Sequence, residues 1–508
     1  MGPSSFVDRR QFLKLCGGSV AFAAGCRSHN PETQRRASTL IMAVSDVNAI
    51  RPDVTDLDQD IFLPLATTAE NGDYVPRLAE SWQHSPDYRE WTYHLRQNVH
   101  WHDGTPTTAD DVKFTMELLD AASANDYGFQ GVEVLDAYTV RVRARPGYQD
   151  DIVYYPRHLV EHLDPKSFMN WDFWLHPVGN GPYRFVRYVP ETMMEFEANP
   201  DYYAGKRRIE HLILKFVGTA GLTELLSGNV DVVIEGDPAQ APWVLRDSRF
   251  RAYYSLDPGA WALFWHERNP LFREPAVRRA LTMAIDRREL LRLVSLPDDL
   301  PFTDGLCTHR QFRRGQYPPL LPYNPREATA VLSAAGWRER GPDGVLRRKG
   351  QPFRFTAICR NTNGLDRVAV YVQAMLRRVG VDMGIQLLED SAMWARFGAG
   401  DFEACIHVQQ VYPYGLARDY GRTNLIGYRN EDATQVIENL LATADPDQQD
   451  QLYARLTNIF LADMPVTRLL PGTFTYYAHR RVHGLRTPFH ADPERYVEDL
   501  WLEDRSDQ

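Results

Sequence analysis

The order of structural elements between residues 353 and 388 places the strongest constraint on the fold. An apolar strand (353–359) is followed by an amphipathic helix (about 366–379) that Gly380 ends, and then by a second apolar strand (381–388). Two strands that are joined through a helix lie parallel in one sheet, and the helix packs on a face of that sheet. The sequence therefore predicts an α/β fold with a mainly parallel sheet in this half of the chain.

Hydrophobic periodicity and capping residues predict further elements along the chain. Because 508 residues exceed the size at which a single core stops growing, we expect two or three lobes, and two α/β lobes are the simplest interpretation of the element order. Strands are expected at 39–44, within 90–104, at 138–145 and as a pair over 181–198, and helices are expected after Thr108, at Pro275, at Pro325 and on both sides of Asp445-Pro446.

The first residues indicate export and anchoring rather than a folded element. Arg9 and Arg10, followed by Phe-Leu-Lys, form the twin-arginine pattern of a bacterial export leader. The apolar run 15–24 is too short to span a bilayer. Ala-Ala-Gly-Cys, which ends at Cys26, resembles the lipobox of bacterial lipoproteins, where the leader is cut before the cysteine and the thiol is acylated; the alternative is a disordered terminus with chance matches. We predict a leader over 1–25, lipidation at Cys26, a tether over 26–38 and a lipid-anchored location in the periplasm or cell envelope.

The charge of the chain argues against nucleic acid as a partner. The net charge is −10, and the leader carries +2, so the remaining chain would carry −12. A nucleic-acid-binding surface needs a basic patch or stripe, and the sequence shows none.

The cysteines remaining after the leader and the acylated Cys26 are Cys307, Cys359 and Cys405. An odd number permits at most one disulfide bridge. Cys359 and Cys405 lie in apolar surroundings, so buried thiols are favoured over a bridge between them. The spacing of cysteines and histidines also lacks the CxxC and HExxH patterns of zinc sites.

Several multi-residue blocks resemble one family, the extracellular solute-binding proteins, family 5, of bacterial peptide and nickel importers. The blocks occur in the family's order and cover nearly the whole chain after the leader. They are LAESW with the strand, the HDGTP turn and the helix that follow (78–119), VGNGPY through NPDYY (178–217), LLSGNVDVV (225–233), the RRAL and AIDR helix (269–294), YNPREATAVLSAAGW (323–337) and MLRRVGVDMGIQLLE (375–389).

This resemblance implies a two-lobed α/β periplasmic-binding-protein fold of the type II kind, in which crossing strands join the lobes and a hinge lets them close on a ligand. It also implies an extra subdomain in the first lobe. We accordingly predict a first lobe formed by 39–75, 178–258 and 478–508, the extra subdomain over 76–177, and a second lobe over 259–477.

The function implied by the resemblance is that of a monomeric receptor without a cofactor. It would bind a peptide or peptide-like solute and deliver it to the permease and ATPase subunits of an ABC importer. No nucleophile elbow or triad-like pairing is recognisable, so we predict that the protein is not an enzyme. The alternatives are an enzyme exported by the twin-arginine route and a sensory solute receptor.

The resemblance also suggests residues that hold the solute's carboxylate. In peptide-binding members, an arginine soon after a second-lobe strand pairs with the C-terminal carboxylate of the ligand, and TAICRNTNG places Arg360 at this position. A guanidinium meets a carboxylate in two parallel hydrogen bonds, so the chemistry is suitable. The alternative is a surface arginine at a strand end.

Other candidate residues depart from the family's pattern. Where the family has an aspartate for the ligand's ammonium group, this sequence has Tyr412, and Asp419 could substitute only if the loop is rearranged. Tyr412 and Tyr414 would form an aromatic wall for apolar or cationic groups. Trp261 and Trp265 occupy the strand in which the family carries a Phe-Asn pair; they would line the cleft, or else belong to the core.

A metal site has one weak candidate. His100 and His102 are two residues apart and share a face if this segment is a strand, so they could hold a metal ion. The family's turn normally carries one histidine that serves the turn itself. We therefore predict no metal site.

Overall fold

The computed structural model describes residues 38–44, 58–68, 74–122, 128–145, 152–234, 241–361, 364–485, 497 and 499–503. The predicted leader, Arg9, Arg10 and Cys26 lie outside the described residues. Among the described residues, no helix has the length and apolar character needed to cross a membrane.

The strands are β1 (Thr39–Val44), β2 (Ala66–Thr68), β3 (Tyr74–Pro76), β4 (Ala79–His84), β5 (Glu90–Leu95), β6 (Phe129–Asp136), β7 (Thr139–Ala144), β8 (Tyr183–Val189), β9 (Met193–Ala198), β10 (His211–Phe216), β11 (Val232–Ile234), β12 (Phe250–Trp265), β13 (Glu339–Arg340), β14 (Leu346–Arg348), β15 (Gln351–Pro352), β16 (Arg354–Arg360), β17 (Asp382–Leu388), β18 (Ala404–Gln409), β19 (Val466–His479), β20 (Val482–His483) and β21 (Trp501–Leu502).

The α-helices are α1 (Asp58–Ile61), α2 (Ala109–Ala122), α3 (Arg157–Val160), α4 (Gly221–Leu226), α5 (Ala241–Arg246), α6 (Pro275–Met283), α7 (Arg287–Leu293), α8 (His309–Arg313), α9 (Pro325–Ala334), α10 (Leu365–Arg378), α11 (Asp390–Gly398), α12 (Pro413–Tyr420), α13 (Glu431–Ala442) and α14 (Pro446–Asp463). Short 3₁₀ helices span Pro165–Asn170, Asp172–Leu175 and Gly218–Ala220.

The local sequence signals explain where many of these elements begin. The Asn324 side chain accepts a hydrogen bond from the backbone N–H of Glu327 at the start of α9, and Asp445 caps α14 in the same way. Gly336 follows α9 with a φ of 91°, a left-handed conformation that glycine adopts at little cost. The predicted strand–helix–strand unit is confirmed, since β16 and β17 pair in parallel and α10 connects them.

One sheet of ten strands runs through the described part of the chain, in the order β17-β16-β18-β12-β19-β11-β1-β10-β9-β8. Two long strands, β12 and β19, pair antiparallel with each other along most of their length. Towards one end β19 pairs with β11, and towards the other end β12 pairs with β18. The register of the β12–β19 pair shifts between Asp257 and Ala260. These two strands therefore pass from one lobe to the other, which gives the two-lobed α/β fold.

The sheet of the second lobe is mixed rather than mainly parallel, which corrects the sequence-based expectation. β16, β17 and β18 are parallel to one another, but β12 runs antiparallel to both β18 and β19. The physical reason is that β12 and β19 come from distant parts of the chain and join the sheet through long-range pairing, which no local βαβ pattern predicts.

Both faces of the second-lobe sheet are covered, and each has its own core. One core contains Leu263 and Trp265 of β12 with residues of α6, α7, α9 and α10. The other contains Ala262 and Phe264 with residues of α11, α12, α13 and α14. Because successive side chains of a strand point to opposite faces, neighbours along β12 belong to different cores.

The first lobe carries a separate sheet, β4-β5-β7-β6, which is four-stranded within the described residues and packs with α2. His102 lies in the turn before α2, and it links this part of the first lobe to the segment 179–181 through hydrogen bonds. Its backbone N–H donates to the carbonyl of Gly179 at 2.7 Å, its Nδ1 accepts from the N–H of Gly179 at 3.1 Å, and its Nε2 lies 3.1 Å from the carbonyl of Gly181. These hydrogen bonds involve both ring nitrogens. Because Nδ1 accepts and Nε2 faces a carbonyl, the ring is a neutral imidazole that carries its proton on Nε2.

The same segment lies directly on the end of α1. The backbone N–H groups of Asn180 and Gly181 both donate to the carbonyl of Ile61, at 3.0 and 2.8 Å, and the Asn180 side chain accepts from the N–H of Leu63 at 2.8 Å. A Cβ atom on Gly179 would lie 1.9 Å from the carbonyl oxygen of Ile61. We call the hydrogen-bonded cluster of His102, Gly179, Asn180, Gly181 and Ile61 the lobe-1 junction.

The cysteines that the structure describes are all buried free thiols, namely Cys307, Cys359 and Cys405. Burial raises the pKa of the Cys359 thiol to about 12. The prediction that Cys359 and Cys405 are buried thiols rather than bridge partners is confirmed. Because the thiolate is the reactive form, burial makes Cys359 and Cys405 poor nucleophiles in the folded protein.

Candidate functional site

The candidate site lies at the carboxyl edge of the parallel strands in the second lobe. β16 ends at Arg360 and β18 ends at Gln409, and the two strands run in the same direction. Gln409 pairs with Ala260, which lies at the register shift where β12 enters the second lobe. Ligands of open α/β sheets bind outside the carboxyl ends of the strands. This edge therefore faces the passage between the two lobes.

Arg360 lies at this edge and is partly buried. The pairing of Cys359 with Ile406 places Arg360 beside His407 of β18. His407 is buried, and its ring lies 4.6 Å from the indole of Trp394 and nearly perpendicular to it. Alternation along β16 places Arg360 on the same face as Ile358, which is the face that α11 and α12 cover.

Tyr412 and Tyr414 flank the first residue of α12 and are both exposed, at 45% and 36%. Tyr412 is the N-cap residue of this helix, and its hydroxyl lies 2.5 Å from Oε1 of Gln410. A Cβ on Gly415 would lie 3.3 Å from the Tyr412 ring, so the ring packs closely on the first turn of the helix. The structure thus brings Arg360 and both tyrosines to one edge of one lobe.

Asp419 does not reach this surface, which corrects the expectation that it could bind an ammonium group. It lies in the last turn of α12 and is 0% exposed. Its two carboxylate oxygens accept from Nε and Nη2 of Arg418 at 2.7 and 3.0 Å. Burial raises the pKa of Asp419, while the Arg418 hydrogen bonds oppose the rise. The carboxylate is therefore already paired within its own helix.

The two tryptophans of β12 lie on the opposite face of the sheet. Trp265 is fully buried and its Nε1 donates to Oγ1 of Thr467 at 3.1 Å, so it is a core residue and does not line a cleft. Trp261 is partly buried, pairs with Val408 and packs against the same core as Trp265. Central strands with helices on both faces bury most of their side chains, which is why Trp265 is a core residue and Trp261 packs against the core.

Two further residues at this edge were not predicted from the sequence. Trp394 of α11 is 45% exposed, and Arg418 of α12 is one-third exposed at its side chain. The guanidinium of Arg418 lies 5.9 Å from the ring centre of Phe397, which in turn contacts Trp394. A tryptophan on the polar side of an amphipathic helix was the signal that could have drawn attention to Trp394.

His102 is not available to share a metal ion with His100 in this structure. His102 uses both ring nitrogens in the lobe-1 junction, and burial lowers its pKa to about 4. His100 is exposed. Within the part of the chain that the structure describes, no group of three or more potential metal ligands occurs.

Two α/β lobes linked by paired crossing strands, with polar and aromatic side chains at the strand ends beside the crossing, define a two-lobed solute-binding protein. The family described as "Bacterial extracellular solute-binding proteins, family 5 Middle" matches residues 73–417. The chain belongs to this family, whose members are extracellular or periplasmic.

Named relatives and solved structures agree with this assignment. The oligopeptide-binding protein AppA of Bacillus subtilis is 23% identical over 97% of this chain and 96% of its own length. The structure of B. subtilis AppA in complex with a nonapeptide matches 92% of this chain and 99% of that chain with a TM-score of 0.66 at 21% identity. The structure of NikZ from Campylobacter jejuni with Ni(L-His) matches the same shares at a TM-score of 0.73 and 22% identity. At these identities the structures establish the fold.

Proposed function

We propose that this protein is the substrate-binding component of an ABC importer, and that it binds a peptide or peptide-like solute between its lobes without altering it. The lobes close on the solute, and the closed protein delivers it to a membrane permease that ATPase subunits drive. The observation that carries the proposal is the position of Arg360, Tyr412 and Tyr414 at the carboxyl edge beside the crossing strands, in a chain of this family.

The relatives support a peptide rather than a bare metal ion as the solute. AppA of B. subtilis is named as an oligopeptide-binding protein and was solved with a nonapeptide, whereas NikZ was solved with nickel held by histidine. Arg360 suits the carboxylate of either kind of solute, because a guanidinium donates two parallel hydrogen bonds to a carboxylate.

The proposed domain division follows the crossing strands. We place the boundary between the lobes at 258/259, and the register shift between Asp257 and Ala260 supports this position. We propose the other boundaries as the sequence predicts them. The first lobe comprises 39–75, 178–258 and 478–508, the extra subdomain comprises 76–177, and the second lobe comprises 259–477. We further propose that the protein works as a monomer.

The export and anchoring proposals rest on the twin-arginine pattern and on Cys26. The expected result is that the Cys26→Ser variant, expressed in a bacterial host, leaves the membrane fraction and is recovered in the soluble envelope fraction. Several acyl chains hold a lipoprotein firmly, whereas the unacylated chain has no such anchor. Membrane association of the variant equal to that of the wild type would remove the lipid-anchor proposal.

The function itself is tested by a thermal-shift screen of di- to pentapeptides and metal chelates, followed by calorimetry on the hits. A solute at 100 times its Kd stabilises the folded protein by about 2.7 kcal/mol, which is readily measured.

Arg360→Ala should weaken the binding of a carboxylate-bearing solute by about 1.5–3 kcal/mol, because a hydrogen bond to a charged group is lost. The matched control is Arg354→Ala, which lies at the opposite end of the same strand and pairs with Asp382. Equal affinity of wild type and Arg360→Ala would contradict this placement of the site.

A further inference from the structure

The guanidinium of Arg418 is held in a fixed orientation at the candidate site. Nε and Nη2 donate to the two oxygens of the fully buried Asp419, while one-third of the Arg418 side chain remains exposed. An arginine has five N–H donors, and this pairing uses two of them. Among the described residues, Arg418 donates no hydrogen bond from Nη1, so these N–H groups are available to a ligand.

Aromatic surfaces lie beside this guanidinium. Tyr412 is close enough to Arg418 for the arginine's charge to oppose the rise in the tyrosine's pKa that burial causes. On the other side, Arg418 lies over the ring of Phe397, and the ring of Phe397 contacts Trp394 at 6.4 Å between centroids. Trp394 and Tyr412 are each 45% exposed, so both present flat apolar surface to solvent.

We propose that Arg418 and Trp394 bind the solute, and that the preferred solutes combine an anionic group with an aromatic or apolar side chain and need no free ammonium group. This inference rests on the proposed function and specifies its substrate class. The physical basis is that Asp419 is buried behind Arg418 and fixes it, so the charge that this helix presents to the cleft is positive.

Arg360, at the end of β16, adds a second positive charge to the same edge of the lobe. A carboxylate that enters here meets charge-assisted donors whose orientation is already fixed, and a fixed donor loses less conformational entropy on binding. The rings of Trp394 and Tyr412 supply large contact area for an aromatic or aliphatic side chain. The pair Arg418–Asp419 therefore acts as one polar unit, in which Asp419 is the positioning residue.

The test uses isothermal titration calorimetry of the purified protein with three aromatic dipeptide probes, and with N-acetyl-Ala-Ala as a reference that lacks an aromatic side chain. The probes are N-acetyl-Phe-Tyr with a free carboxylate, its C-terminal amide, and Phe-Tyr amide with a free amino group. We expect the free carboxylate to bind roughly tenfold more tightly than its amide, and the free amine to give no advantage over the acetylated amide.

Two variants identify the residues responsible. Trp394→Leu should weaken N-acetyl-Phe-Tyr about threefold to tenfold while leaving N-acetyl-Ala-Ala unchanged, and its control is Trp243→Leu, an exposed tryptophan of α5 in the other lobe. The double variant Arg418→Gln, Asp419→Asn should reduce the preference for the carboxylate to the part that Arg360 supplies, without leaving a buried unpaired charge. Its control is Arg422→Gln, Glu438→Gln, which removes an exposed ion pair of the same lobe.

The outcomes separate this inference from the proposed function. If peptides bind but neither variant changes any affinity, or if the free amine binds most tightly, the inference is overturned while the receptor function stands. If no peptide or chelate binds to the folded wild-type protein, the proposed function fails and the inference fails with it. Circular dichroism and thermal unfolding of each variant show that it is folded before its affinity is compared.

Discussion

Replacing Gly179 with alanine is expected to destabilise the folded protein by about 3 kcal/mol or more. The added Cβ would lie 1.9 Å from the carbonyl oxygen of Ile61 and 2.8 Å from Cγ2 of the same residue. The colliding oxygen belongs to the main chain and accepts the N–H groups of Asn180 and Gly181, so it cannot move without loss of those hydrogen bonds. Overpacking of this kind costs about 1–3 kcal/mol in ordinary cores and more where the backbone must shift.

The measurement is the free energy of unfolding from urea titration, monitored by tryptophan fluorescence. The matched control is Gly131→Ala, because Gly131 lies in β6 and a Cβ there would meet nothing within 4 Å. The control should change stability by less than about 1 kcal/mol. A Gly179→Ala protein as stable as the Gly131→Ala protein would show that the lobe-1 junction is not packed as described.

The second expected result is a loss of stability in mild acid that depends on His102. Burial lowers the pKa of His102 to about 4 in the folded protein, against an ordinary value of 6.5 in the unfolded chain. Between pH 6.5 and pH 4 the unfolded chain binds more protons than the folded protein. The stability that a neutral His102 contributes is therefore complete above pH 6.5 and is lost as the pH falls through 4. The free energy of unfolding falls by about 3 kcal/mol in total because of this one histidine. Protonation also places a proton on Nδ1, which accepts from the N–H of Gly179.

The measurement is the free energy of unfolding at intervals from pH 7.5 to pH 4, compared between wild type and variants. The His102→Gln variant is less stable at neutral pH but should lose about 3 kcal/mol less than the wild type over this interval. His100→Gln, two residues earlier and exposed, is the control and should keep the wild-type slope. Parallel curves for wild type and His102→Gln would contradict a neutral His102 in the lobe-1 junction.

Elements specified by local sequence were predicted well. The unit β16–α10–β17 was predicted within one or two residues because its apolar periodicity, Gly380 stop and short connections all lie within 40 residues. The caps at Asn324 and Asp445 are likewise local. The passage of β12 and β19 between the lobes was implied only by the family resemblance, because their pairing joins residues about 200 positions apart.

The candidate site was predicted in part, for a different physical reason. Arg360 follows a strand end, and such positions in a parallel sheet lie together at one edge. Asp419 and Trp265 were misjudged because burial depends on which helix covers which face, and the sequence of one strand or helix does not contain that information. Trp394 and Arg418 were missed because their exposure depends on how α11 and α12 cover this face of the sheet.

The paired strands β12 and β19 determine how the lobes can move. A flexible linker would allow the two lobes to rotate in any direction. A pair of hydrogen-bonded strands resists stretching and shear, and it bends readily only out of the plane of the sheet. The register of the pair shifts between Asp257 and Ala260, so we expect bending to concentrate there. Opening and closing of the proposed receptor would then follow one bending direction, with the pairing of the two strands kept intact.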